Sequence, residues 1–528
     1  MPDPISALHD SIASAVSALA GEVPDLALER PANAEHGDYA TSVAMRLAPA
    51  LGRNPREIGE ELAGALAALP GVDSAEVAGP GFVNLRLDAG WYRDALADIL
   101  AAGADFGRRP FAPGVETLVE FVSSNPTGDL TIGSARNAAY GDSIARLIDF
   151  TGERVVREYY INDAGVQVQL FGQSVLARRR GDEVPEGGYP GAEVGEIAAA
   201  LDLADDAPLA EWVERGVATM VDRIRLSLER MRVTFDLWTS ERGLHESGAV
   251  AAAIEHARAQ GRVFEQDGAI WLRTTDFGDD KDRVLIKADG EHTYFASDLA
   301  YIDRKFERGA TRAIYVLGAD HHGYVQRLKA GAACLGHDPE AVEILIYQLI
   351  TVSGERMGKR RGNVITLDEL VEAIGVDAAR FFLVQRSHDQ TLDIDLDLAV
   401  EASSKNPVYY VQYAHARCAS ILRKAHDEGL AIDGVGSAHD PEPVERALLR
   451  KLAEWPEIVA LAAEQRAPHR MAGWAHELAG DFHAFHHDAL VLHEDADVRA
   501  FRLSLVRATQ DALARALDLI GVDAPDRM

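Results

Sequence analysis

The sequence predicts an α/β domain with a parallel, doubly wound sheet and an insertion, preceded by an N-terminal α+β domain and followed by a C-terminal all-α helical bundle. Three observations carry this. The chain has 528 residues, beyond the size at which a single hydrophobic core gives way to several. Its middle alternates short β-type runs with helical periodicity. From about residue 400 onward the β-type runs become scarce, and apolar residues recur at helical spacing.

In the first unit, residues 1–105, Ile5, Leu8, Ile12, Val16 and Leu19 share one face of an amphipathic helix. Residues 30–39, with Pro, Asn, Gly and Asp, read as a loop, and Gly79-Pro80-Gly81 leads into a strand at residues 82–87. Residues 103–114 read as a linker. The second unit, residues 106–395, opens with a β-type run at 115–122. A turn-rich loop follows at 123–134, then a helix carrying Tyr140, Ile144, Leu147 and Ile148, then a second run at 155–161. Strand, loop, helix and strand in this order open a doubly wound nucleotide-binding sheet. The sheet resumes at residues 313–317 and 344–347, after an insertion spanning about residues 171–263 with an exposed loop at 181–191. In the last unit, residues 396–528, Val444, Leu448, Leu452 and Trp455, and then Leu503, Val506, Leu513 and Leu517, mark helices, with a connection at 432–443.

Composition narrows the class. Apolar residues make up 47% of the chain and charged residues 26%, with no charge-free run able to cross a bilayer. Residues 1–10 lack the basic segment and apolar core of a secretory signal, so a cytoplasmic location is expected. Cys334 and Cys418 are far apart and without near partners, which suggests neither a disulfide nor a thiolate zinc site. The net charge of −31 works against general nucleic-acid binding but leaves local basic grooves open. The loop at 123–134 ends at a helix start, whose free N–H groups and dipole suit an anion such as phosphate. The run Arg356-Met357-Gly358-Lys359-Arg360-Arg361 supplies cations, which without context would read as a solvated face.

Several blocks together are more specific. They are Glu120-Phe121-Val122-Ser123-Ser124-Asn125-Pro126-Thr127-Gly128, Ala135-Arg136-Asn137-Ala138-Ala139-Tyr140-Gly141-Asp142, and Arg157-Glu158-Tyr159-Tyr160-Ile161-Asn162-Asp163-Ala164-Gly165. Further on come Tyr294-Phe295-Ala296-Ser297-Asp298, Gly318-Ala319-Asp320-His321-His322-Gly323-Tyr324 and Asn406-Pro407-Val408-Tyr409-Tyr410-Val411-Gln412-Tyr413. The chain, over essentially its whole length, resembles bacterial arginyl-tRNA synthetases. The resemblance implies a class I synthetase: a Rossmann-type catalytic domain, an N-terminal domain touching the tRNA elbow and a helical domain reading the anticodon. It implies an enzyme that activates L-arginine with ATP and Mg²⁺ and transfers it to tRNA(Arg), expected as a monomer with no protein-bound zinc.

Residue by residue, the family's first motif, His-x-Gly-His, falls on Thr131-Ile132-Gly133-Ser134, so both histidines are replaced by hydroxyl residues. Thr131, Gly133 and Ser134 are the expected catalytic positions there, with Pro126, Thr127, Gly128, Leu130 and Ile132 along the ATP. Neutral hydroxyls donate weaker hydrogen bonds than charge-assisted donors. The second motif aligns with Arg356, Met357, Gly358, Lys359 and Arg360. Lys359 is expected to stabilise pyrophosphate with help from Arg356, Arg360 and Arg361, while Met357, Gly358 and His322 meet ATP. Recognition of arginine needs carboxylates facing a planar five-donor guanidinium. The resemblance assigns this to Asp298 and Tyr294, four residues apart and on one face if that stretch is helical. Glu120, Ser123, Asn125, Ser134 and His321 complete the arginine site. For tRNA, Phe82 and Asn84 are expected at a D-loop base, and Tyr409, Tyr413, His415 and Arg417 in the anticodon-reading domain. His483, His486, His487 and His493 read as packing or solvated residues of the bundle. A second reading keeps tRNA binding but loses activation, or moves arginine to another acceptor.

Overall fold

The computed structural model describes residues 3–21, 26–31, 33–353, 365–431 and 434–528. Arg356, Met357, Gly358, Lys359, Arg360 and Arg361 lie outside the described residues. The N-terminal helix, Pro4–Ala20, starts where Asp3 accepts a hydrogen bond from the Ser6 N–H, and it buries Leu8, Ile12 and Val16 as the spacing predicts. Behind it lies a three-stranded antiparallel sheet of β1 (Tyr39–Thr41), β2 (Val72–Ala78) and β3 (Phe82–Leu87), with β3 in the centre. Val83, Leu85 and Leu87 point into the core, so the pleat turns Phe82, Asn84 and Arg86 to the opposite face. Gly81, at φ 140°, closes the β2–β3 turn where a Cβ would stand 2.9 Å from the Pro55 carbonyl.

The middle of the chain runs through β4 (Glu116–Glu120), β5 (Arg154–Ile161) and β6 (Leu237–Ser240). A small antiparallel sheet of β7 (Val263–Gln266), β8 (Ala269–Leu272) and β9 (Arg283–Ile286) follows, then β10 (Arg312–Gly318) and β11 (Val342–Tyr347). Next come β12 (Ile350–Ser353) and β13 (Leu392–Asp395), a parallel pair. The central sheet is parallel throughout, in the order β11-β10-β4-β5-β6. From β4 the chain winds outward through β5 and β6, then returns to β4's other side at β10. The winding direction therefore reverses between β4 and β10, and open sheets hold their ligands at the strand ends beside such a switch point.

The stretch read as an insertion, residues 171–263, differs from that reading in one respect. Helices Val166–Arg180, Ala192–Ala200 and Leu209–Arg230 do form an added layer, but β6 lies inside the stretch and pairs with β5 as the sheet's edge strand. At four residues, none of them fully buried, β6 leaves no β-type run for periodicity to detect.

Helices Pro407–Asp427, Pro443–Ala453, Trp455–Glu464, His469–Asp488 and Ala496–Leu519 form the C-terminal bundle. It is fastened to both other units. Asp38 accepts hydrogen bonds from the Leu87 N–H and the Tyr92 hydroxyl and pairs with Arg450 of the bundle. Trp455, fully buried, lies 4.7 Å from the Trp474 ring and 6.1 Å from Phe150, and its Nε1 donates to the Phe106 carbonyl at 3.0 Å. Residues 103–106, read from sequence as part of a linker, are thus pinned to the bundle, with Arg515 donating to the Ala104 carbonyl. No helix among the described residues is long and apolar enough to cross a membrane. Trp455→Ala should cost about 3–5 kcal/mol of stability, the usual range for emptying a buried tryptophan site. Urea denaturation measures it, and a loss under about 1 kcal/mol would mean that the junction does not depend on this side chain.

Candidate active site

β4 ends at Glu120, and the parallel register sets Glu158 of β5 directly beside it. Two buried carboxylates on neighbouring strands repel one another. Lys305, fully buried on helix Tyr294–Glu307, lies between them and donates to Glu120 at 2.7 Å and to Glu158 at 3.0 Å. Its ammonium also sits 3.8 Å from the Tyr301 ring centre and 4.5 Å from that of Tyr315. Burial alone would raise the Glu158 carboxyl, but Lys305 and Arg308 outweigh it and hold the group down at about 2.

Beyond Glu120 the chain turns through two left-handed residues, Val122 at φ 67° and Ser123 at φ 40°. That conformation is unfavourable for a β-branched side chain and persists only where surrounding bonds fix it. Here they do. Ser123 Oγ donates to Glu120 (3.0 Å) and accepts from the Tyr160 N–H (3.1 Å). The Val122 N–H donates to Asn137 Oδ1, whose Nδ2 donates in turn to the Val316 carbonyl of β10, both at 2.9 Å. Asn137 therefore stitches the switch point together.

Above this floor, Tyr294 and Asp298 stand one turn apart on helix Tyr294–Glu307. Tyr294 is 73% exposed at the rim, its hydroxyl 3.6 Å from the point where a side chain on Gly165 would begin. Asp298 is half-buried, and a second carboxylate faces the same space: Glu241, buried, on the first turn after β6. No described side chain donates a hydrogen bond to either. Burial, then the charges of Glu120 and Glu241, pushes Asp298 up to about 7 against the weaker opposing pull of Arg327. Burial and then Asp163 push Glu241 to about 7 as well. Glu120 has Ser123 and Lys305 as partners, and Asp163 has Ser240 and the Arg242 N–H. The unmatched pair is Asp298 and Glu241, and what it lacks is a cation with several donors. Glu241 was missed in the sequence because β6 was missed; its signal is an acidic residue immediately past a strand end, beside Ser240, which caps the helix.

Past the left-handed turn, helix Ile132–Phe150 begins at Thr131, whose Oγ1 accepts weakly from the Ser134 N–H at 3.4 Å. Thr131 thus caps the helix through its lone pairs, and its hydroxyl also lies 3.5 Å from Ser134 Oγ. Ser134 Oγ lies 3.0 Å from Ser124 Oγ. This segment is locked to the chain at residues 365–367: the Ile132 N–H donates to the Ile365 carbonyl, the Leu367 N–H to the Leu130 carbonyl, and Thr131 bridges Thr366. Pro126, Thr127 and Leu130 are buried in the loop, Gly128 and Ile132 half-buried, and exposed Asn125 donates to Gln167 at 2.7 Å. His321 and His322 occupy the short turn Ala319–Tyr324 after β10, His321 with its ring edge-on to Tyr324 and His322 exposed.

The tRNA candidates lie on the other two units. Phe82 and Asn84 share the outer face of β3. Tyr409 and Tyr413 stack with ring centres 6.2 Å apart and planes 12° from parallel, and Arg417 covers Tyr413. His415 does not join them: it is buried, with Nδ1 3.0 Å from the Pro525 carbonyl, because its position on the helix faces the chain terminus. His483, read as a packing or solvated residue, packs against Tyr410 and Tyr413.

Comparison with known proteins bears on the same geometry. Residues 6–87 match the family model for the arginyl tRNA synthetase N terminal domain, residues 202–419 that for tRNA synthetases class I (R), catalytic domain, and residues 411–528 that for the DALR anticodon binding domain. An arginine–tRNA ligase of Frankia alni is 50% identical over 520 residues, covering 95% of this chain and 94% of that protein. The chain belongs to the arginyl-tRNA synthetase family. Its fold agrees with that of the Thermus thermophilus arginyl-tRNA synthetase, with a TM-score of 0.79 over 99% of both chains at 24% identity. The Plasmodium falciparum arginyl-tRNA synthetase superposes with a TM-score of 0.76, covering 100% of this chain and 99% of the other at 15% identity. The enzyme is thus an arginine–tRNA ligase, a class I synthetase and a user of ATP, and these matches support that reading rather than a catalytically impaired paralogue or a different acceptor.

A guanidinium held by Asp298 and Glu241 would need their ionised forms, so on that assignment arginine binding should weaken as pH falls through about 7, and binding near that pH should release protons. Without ligand the sign for stability is the reverse of the usual carboxylate case. The folded state holds more protons than the unfolded one between the ordinary carboxylate range and about 7, so these two groups make stability fall as pH rises across that window. Calorimetry of arginine binding in buffers of different ionisation enthalpy counts the protons. Affinity independent of pH, with no proton release, would contradict the assignment.

Proposed function

We propose that the crevice at the ends of β4 and β10 activates L-arginine with ATP, taken as its Mg²⁺ complex, and transfers it to the 3′ end of tRNA(Arg). The observation that carries this reading is the unmatched Asp298–Glu241 pair, suited to a forked cation, with the loop that follows β4 leading to a helix start suited to phosphate. Asp298 and Glu241 hold the guanidinium, with Tyr294 at the rim and Glu120 in the floor. Ser123, Asn125, Ser134 and His321 orient the α-amino and carboxylate groups. Thr131, Gly133 and Ser134, with the N–H groups of the first helical turn, face the phosphates. Pro126, Thr127, Gly128, Leu130, Ile132, His322, Met357 and Gly358 line the nucleotide.

In the first step an arginine carboxylate oxygen attacks the α-phosphorus and pyrophosphate leaves with the bonding electrons. Lys359, with Arg356 and Arg360, stabilises its added charge. In the second step a terminal ribose hydroxyl attacks the adenylate carbonyl carbon and AMP leaves. Positioning and charge stabilisation account for both steps without a covalent enzyme intermediate. Hydroxyls in place of two imidazoles at Thr131 and Ser134 leave the cationic load on the residues of the second motif. Phe82 and Asn84 read a base at the tRNA elbow, and Tyr409, Tyr413 and Arg417 stack on anticodon bases. Work in the cytoplasm as a monomer completes this reading.

The test is charging of purified tRNA(Arg) with labelled arginine, ATP and Mg²⁺. The native protein should charge, while Asp298→Asn and Lys359→Ala should each lose on the order of 100-fold or more in kcat/KM. Native protein that binds the tRNA but does not charge it would overturn the proposal.

A further inference from the structure

Helix Leu209–Arg230 belongs to the inserted layer, yet one of its faces carries three residues that reach the active-site segments: Arg223, Ser227 and Arg230, spaced i, i+4 and i+7. Arg223 forks onto Asp129, Nε to Oδ1 at 2.5 Å and Nη2 to Oδ2 at 3.0 Å, while its Nη1 is held by Glu196 at 2.6 Å. One turn on, Ser227 Oγ donates to Asp368 Oδ2 at 2.5 Å, and Arg230 donates to Asp368 Oδ1 at 3.0 Å. Asp129 stands just before Thr131 and Asp368 just after Thr366, and those two threonines form the bridge between the two segments. A single helix face therefore grips both sides of the crossing at which the helix start of the first motif meets the chain downstream of the second.

We infer that Arg223, with Ser227 and Arg230, positions the phosphate-facing segment 129–134 for adenylate formation; this rests on the reading of Thr131 and Ser134 as nucleotide-handling residues. The bonding requires arginine at 223. Its planar fork meets both oxygens of Asp129 and still has a donor for Glu196, whereas a lysine ammonium cannot reproduce that geometry. The Arg223 and Asp129 side chains retain 36% and 22% of their exposure, so the pair adds little to global stability. Its effect lies in geometry. With neutral hydroxyls where the family has imidazoles, the donors facing phosphate are short, and a shift of about 1 Å in their segment can cost on the order of 100-fold in rate.

The experiment uses the full-length enzyme and ATP–pyrophosphate exchange in the presence of tRNA. Arg223→Lys, Arg223→Gln and Asp129→Asn should each raise the KM for ATP and lower kcat, together by on the order of ten-fold in kcat/KM. The KM for arginine, tRNA affinity and Tm should remain those of the native enzyme. The Arg223→Gln/Asp129→Asn double variant should be no worse than the worse single variant, because both remove one interaction. Unchanged ATP parameters, a fall tracking Tm, an equal effect on arginine KM, or additive losses in the double variant would each overturn the inference. Ser134→Ala separates the two levels. If it leaves the ATP parameters intact, the underlying reading fails; if it impairs them while Arg223→Gln does not, the positioning role alone fails.

Discussion

The structure turns on one buried ammonium. Parallel pairing of β4 and β5 sets Glu120 against Glu158, both buried, and the arrangement is tenable because Lys305 donates to both while Arg308 also pairs with Glu158. With that charge in place, Glu120 can accept from Ser123, and the left-handed turn at Val122 and Ser123 is held. The turn in turn directs residues 124–134 across the end of the sheet, toward the helix start at Thr131. Lys305 and Arg308 together offset the two carboxylates of the floor, and the carboxylates without a described donor lie higher up, at Asp298 and Glu241. Replacing Lys305 with a neutral residue would leave Glu120 with Ser123 alone and Glu158 with Arg308 and Thr239, a buried network short of one positive charge, which is the costly way to break it.

Charge is used in two distinct ways in this acidic chain. Much of the arginine complement acts internally. Arg136, fully buried, donates to the carbonyls of Gln348, Ser387 and Gln390, and Arg380 joins Asp142 to the Met231 and Ile520 carbonyls. Such clamps satisfy backbone acceptors where chain segments meet. Asp298 and Glu241 are the opposite case, carboxylates with no described donor, and that contrast distinguishes a binding site from a structural ion pair. A net charge of −31 thus says little about what any one crevice attracts.

The sequence made the architecture largely readable because its signals are physical periodicities. Leu8, Ile12 and Val16 mark the first helix, and the core faces of β3, β4 and β10 follow from alternating or continuous apolar runs. Short or polar strands escaped: β1 has three residues, β2 carries Asp73, Ser74 and Glu76, and β6 and β13 have four residues each. In the pocket, Asp298 and Tyr294 came from resemblance joined to helical spacing. Glu241 did not, because its role depends on an edge strand that brings a distant residue to the same strand-end crevice. His415 shows the converse: an attractive residue type in a suitable segment, turned by its helical position into the core.

On the proposed reading, the pocket selects its amino acid by charge, through two carboxylates that have no described donor of their own. Competition between arginine and citrulline, close in shape but uncharged, tests this most directly by equilibrium binding above pH 7, where both carboxyls are ionised. Citrulline should bind on the order of 100-fold or more weaker than arginine, since it leaves both carboxylates unmatched. Affinities within about three-fold of one another would mean that shape governs the site and that Asp298 and Glu241 do not form the guanidinium socket.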